Sequence, residues 1–197
     1  MNKPSGYDEV RPSGDFTPIN LGGHYAVIKK VEEKESKTGK AMIVVYYDFD
    51  TKDSQPAYFM NEFRNDVRPE KKWPFAGSKY IMQADYNDPN KVSRDFKTFC
   101  TCVEKSNNYF IKWGDNWGEQ FKNKKIGVVF GEVESEYNGK IYKRHEPRWF
   151  CNIDKVESAN VPAPKTFNGA HSNSAPQTGN TNGFINVPDS AVEDVPF

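Results

Sequence analysis

The chain has 197 residues, room for one domain of ordinary size plus an appendage. Its hydrophobic share is low at 36% while aromatics reach 14%, and a formal net charge of zero excludes the simple argument from a strongly basic composition to a nucleic-acid partner. No apolar run approaches the roughly 20 residues that span a bilayer, residues 1–18 hold no secretory apolar core, and the cysteines number three, so the chain reads as soluble and cytoplasmic with reduced thiols.

Residues 1–20 are polar and rich in Pro and Gly, which predicts a flexible N-terminal arm. Gly22-Gly23 then opens a strand pattern from His24 to Val31. Thr38-Gly39-Lys40 signals a turn, and Ala41 to Phe49, dense in β-branched and aromatic residues, predicts the returning strand. A third extended run is expected over Ala57–Phe63. Residues 64–91 are mixed, with Trp73 in a loop and a short strand over Lys79–Ala84. Phe96, Phe99, Cys100 and Val103 fall at i, i+3, i+4 and i+7 and predict a helix, with Ser93 as its N-cap and Ser106-Asn107-Asn108 as its stop. Lys125 to Val133 is a strand, Asn138-Gly139 is the strongest hairpin signal in the chain, and Lys140 to Ile153 returns.

The order is strand, strand, strand, helix, strand, strand. It predicts a mainly β fold: a five-stranded OB-fold-like Greek-key barrel with one helix between strands 3 and 4, spanning residues 21–157. From Ser158 the character changes. Ala, Pro, Asn, Ser, Thr, Gly and Gln dominate, too polar to offset their ordering entropy, so 158–188 is expected to be a disordered linker with a reach on the order of 30 Å. Residues 158–197 hold one base (Lys165) and three acids (Asp189, Glu193, Asp194), a net of −2 that leaves the body at +2.

The chemistry of the body is aromatic and basic. Single strands are held without sequence preference by bases stacked on rings and by cations along the phosphates. Aromatics adjoin bases at Trp73, Trp113, Phe121, Tyr142 and Trp149. Strand alternation puts Ile43, Val45, Tyr47 and Phe49 inward and leaves Tyr46 facing outward. Tyr46, Tyr58, Trp73 and Tyr142 are the candidates for stacking, and Lys40, Lys72, Lys140 and Arg144 those for phosphate contact.

Other constellations are weaker. Cys100 and Cys102 diverge on a helix, and Cys151 with the histidines matches no zinc spacing. Glu32, Glu33 and Glu35, like Glu132, Glu134 and Glu136, suit a solvated strand face better than a metal. There is no Walker loop, dinucleotide glycine fingerprint or nucleophile elbow, so no catalytic residue, metal or cofactor is expected.

The ending Asp189-Ser-Ala-Val-Glu-Asp-Val-Pro-Phe197 puts three carboxylates before an aromatic residue, which suits presentation to a partner. It resembles the acidic tip of bacterial-type single-stranded DNA-binding proteins, which ends in Ile/Leu-Pro-Phe. It departs from them in Val195 and in acids interrupted by Ser190, Ala191 and Val192. The whole chain resembles a phage-type single-stranded DNA-binding protein through Tyr25-Ala-Val-Ile-Lys29, the run from Lys40 to Phe49, the run from Phe99 to Asn107 and that from Lys124 to Glu132. The resemblance implies an OB-fold, sequence-independent binding of single-stranded DNA in replication or recombination, and recruitment of replication and repair proteins by Asp189, Glu193, Asp194, Val195, Pro196 and Phe197. It also implies a host-cell cytoplasmic location, with self-association left open. A β-barrel adaptor without nucleic-acid binding is the alternative, and a metal-dependent nuclease using the acidic strands is a third reading.

Overall fold

The computed structural model describes residues 1–5, 7 and 17–167. The fold is mainly β. Its strands are β1 (Gly22–Glu35), β2 (Ala41–Phe49), β3 (Ser78–Met82), β4 (Lys125–Tyr137) and β5 (Lys140–Cys151); its helices are α1 (Tyr58–Asn65) and α2 (Arg94–Asn107). The strands form one antiparallel sheet in the order β3-β2-β1-β4-β5. No helix is long and apolar enough to cross a membrane among the described residues.

The alternation in β1 buries His24, Ala26 and Ile28, and a bulge before Lys30 restores Val31 to the interior. Ile43, Val45, Tyr47 and Phe49 of β2 face the same way and meet Ile126, Val128 and Phe130 of β4 in the main core. Helix α2 closes that core with Phe96, Phe99, Cys100 and Val103, the stripe expected from the sequence. Ser93 caps it as expected, its Oγ accepting the Phe96 N–H at 3.1 Å. Burial pushes the thiols of Cys100 and Cys151 up to about 11 and that of Cys102 up to about 12, so all three stay protonated at neutral pH.

The third strand is not where the sequence put it. Residues 58–65 form α1, and the β3 position is taken by Ser78–Met82, close to the short strand expected over Lys79–Ala84. Two tertiary effects overrule the aromatic β-propensity of this run. Phe59 and Phe63, four residues apart, lie on one helical face, Phe59 in the core and Phe63 against Trp73. Ala57 has no capping side chain, and Asp48 of β2 supplies the acceptor instead. Its Oδ1 receives the N–H groups of Phe49, Phe59 and Met60 at 3.0, 3.0 and 3.5 Å. Burial outweighs these bonds and raises the Asp48 carboxyl above its ordinary range.

The end of the expected N-terminal arm is pinned. Four consecutive carbonyls accept side-chain donors: Thr17 from the Tyr58 hydroxyl (2.7 Å), Pro18 from Gln55 Nε2 (2.9 Å), Ile19 from His145 Nδ1, and Asn20 from His24 Nε2 (2.9 Å). The first part of the expected linker is placed as well. Residues 156–165 cross the outer face of β1 and β4, and Lys165 extends the β4 ladder beside Val133 in parallel. Glycines admit this approach: a Cβ on Gly23 would lie 2.2 Å from the Val156 carbonyl oxygen, and one on Gly131 2.7 Å from Pro162. The rest of the expected linker and the tip Asp189–Phe197 lie outside the described residues.

No ladder joins β3 to β5 among the described residues. One side chain spans them: the buried Lys79 of β3 donates from Nζ to the carbonyls of Pro147 (3.3 Å) and Arg148 (3.0 Å), where β5 bulges. Burial pulls the Lys79 ammonium down to about 8 from an ordinary 10.5. Between those values the unfolded chain binds more protons than the folded one, so stability rises with pH through that window. Relative to Lys79→Met, the wild type should gain up to about 3 kcal/mol between neutral and strongly basic pH. Urea denaturation at several pH values checks this; parallel curves for the two proteins would contradict it.

Candidate nucleic-acid interface

The β4–β5 hairpin carries the densest group of the expected site residues. Its turn forms as the sequence suggested: Asn138 and Gly139 have φ of 51° and 72°, a two-residue turn with left-handed backbone at both positions. The register pairs Tyr137 with Lys140, Ser135 with Tyr142 and Val133 with Arg144. Because side chains alternate, these six share one face, which is basic and aromatic. Tyr142 is 47% exposed and Tyr137 69%. The opposite face holds Glu132, Glu134 and Glu136 with Ile141 and Lys143. Lys143 Nζ pairs there with Glu132 at 2.8 Å and Glu134 at 3.8 Å. Its hydrogen bond to Glu132 raises the Lys143 pKa. The acids are thus turned away from Lys140 and Tyr142, and on the basic face Arg144 lies 3.5 Å from Glu146.

The other candidates do not join this face. Gly22 pairs with Phe130 and Val27 with Lys125, so the β1–β2 turn and the β4–β5 turn point to opposite ends of the sheet. Lys40 sits at the far end, its Nζ 5.1 Å from the centre of the exposed Tyr86 ring. Tyr46 faces away from the main core, as alternation requires, but it is not an open surface. It is 2% exposed, in a second cluster with Met42, Val44, Trp73, Tyr80 and Met82, and its hydroxyl donates to Glu32 at 3.1 Å. A stacking role for Tyr46 is therefore corrected to a packing one. Trp73 is half-buried between the two clusters, with Nε1 donating to the Gly77 carbonyl at 2.9 Å. Tyr58 lies on α1, packed on Phe49 and Phe59. Lys72, half-buried, donates its backbone N–H to Asp66 at 3.3 Å.

Exposed rings outside the expected stacking set are Tyr137, Tyr86, Phe110 and Trp113, the last noted in the sequence only for its place beside Lys112. The signal for Tyr137 was its place opposite Lys140 across the Asn-Gly turn. Among the described residues, no group of three His, Cys, Asp or Glu side chains is arranged to hold a metal ion. Neither the models of known protein families nor the sequences of characterised proteins match this chain.

Proposed function

We propose that the protein binds single-stranded DNA without sequence preference and performs no catalysis. The observation that carries this reading is the hairpin face on which Lys140, Tyr142 and Arg144 stand beside Tyr137, rings and cations alternating at the spacing of a strand. Such a face can stack bases and track phosphates at once. The sheet supports an OB-fold reading. Its order β3-β2-β1-β4-β5, with α2 between β3 and β4, is the connectivity that an OB barrel would have if opened between β3 and β5. Both edge strands run in the same direction, and Lys79 reaches across them.

In this reading Asp189–Phe197 recruits replication or recombination proteins while the body coats DNA. Removing Val195–Phe197 should abolish capture of such proteins and leave DNA affinity unchanged or slightly raised. Titration of the full chain with oligo-dT, followed by tryptophan fluorescence, tests the central part. Saturable quenching at low salt is expected. No quenching, with a protein partner retained through the tip, would favour the adaptor reading instead.

A further inference from the structure

The loop between α2 and β4 presents a tryptophan at the exposed edge of an aromatic cluster. Phe96 and Trp117 are buried, with ring centres 5.6 Å apart and planes 23° apart. Trp113 lies on Trp117 at 5.6 Å and 18°, yet is 69% exposed. Trp113 also lies 6.3 Å from Phe96, so the three rings form a triangle in which Trp113 is the exposed corner. The cluster rests on Phe121, whose ring meets Trp117 edge-on with centres 4.4 Å apart.

The segment before Trp113 is fixed on both sides. Gln120 Oε1 accepts the Lys112 N–H at 2.8 Å, while Gln120 Nε2 donates to the carbonyls of Lys112 and Trp117, each at 2.8 Å. The Ile111 N–H donates to Glu104 Oε1 at 3.2 Å, and Ile111 is buried. Phe110 and Lys112, on either side of it, are exposed. Gly114 (φ 148°) and Asn116 (φ 57°) turn the chain so that Trp113 comes back over Trp117. Thus Phe110, Lys112 and Trp113 are offered to solvent from a clamped backbone, in the order aromatic, cation, aromatic. Holding a large ring open costs hydrophobic free energy, and holding it rigid lowers the ordering cost of a ligand that stacks on it.

We propose that Trp113 is a base-stacking platform for a single strand, with Lys112 meeting the adjoining phosphate. It lies near the β1–β2 end of the sheet: Gly118, in the turn that follows, packs against the Val31 carbonyl. The Lys40–Tyr86 pair shares that end, so a strand would touch this platform as well as the distant hairpin. The proposal rests on the DNA-binding reading. Its test is anisotropy titration of labelled oligo-dT with the full chain and with Trp113→Ala, Trp113→Phe and Lys112→Glu. Trp113→Ala should weaken binding about tenfold, with Trp113→Phe close to wild type. Lys112→Glu should also weaken binding, and it keeps the test open if Trp113→Ala fails to fold. Wild-type affinity in Trp113→Ala, or an equal loss in Trp113→Phe, overturns the platform while hairpin variants can still uphold DNA binding. If the wild type itself does not bind oligo-dT, both ideas fall.

Discussion

Replacing Lys140, Tyr142 and Arg144 together with alanine should weaken oligo-dT binding by roughly a hundredfold or more. One stacked base is worth about 1–3 kcal/mol, and the two cations add phosphate contacts that weaken as salt rises. All three side chains are exposed on a strand whose backbone pairing does not depend on them, so the fold should survive. The opposite face supplies the control. Glu134→Ala with Glu136→Ala removes like charge from the same hairpin and should leave affinity equal or higher. A triple variant that binds oligo-dT like wild type, with an unchanged melting curve, would remove the hairpin from the interface.

The second large effect is on stability. Phe59→Ala should cost about 3–5 kcal/mol and lower the melting temperature by roughly 10 °C or more. Phe59 is fully buried and touches Tyr47, Phe49, Tyr58 and Phe130 through its ring. It links α1 to strands β2 and β4, so its cavity would open between elements distant in sequence. The neighbouring Asn61→Ala, on the same helix but only half-buried, should cost far less. Equal effects from the two would mean that α1 does not plug the core as described. A thermal melt followed by circular dichroism reads both.

What the sequence made legible, and what it hid, follows from which forces are local. Helix α2 could be read because its cap, its stripe and its stop all lie within sixteen residues of one another. The β4–β5 hairpin could be read because Asn138-Gly139 fixes the turn by backbone sterics alone. Helix α1 could not, since its cap comes from Asp48 and its anchor from a core assembled by other strands. The alternation in β2 correctly separated Tyr46 from Tyr47, but alternation cannot tell whether a second face is solvated; here Trp73, Tyr80 and Met82 cover it. For the same reason the candidate site dissolved in part. Lys40 and Lys140 look alike in sequence, each beside a turn, and only the antiparallel pairing of β1 with β4 sets them at opposite ends. The course of residues 159–162 over the sheet was hidden because glycines on the strands, rather than apolar residues in the segment, make room for it.

The salt dependence of oligo-dT affinity tests the central claim most directly. If Lys140, Arg144 and Lys112 each displace a counterion, the logarithm of the binding constant should fall against the logarithm of salt with a slope of about −2. The triple hairpin variant should flatten that slope. Absence of binding at low salt, or an affinity indifferent to salt, would contradict the account.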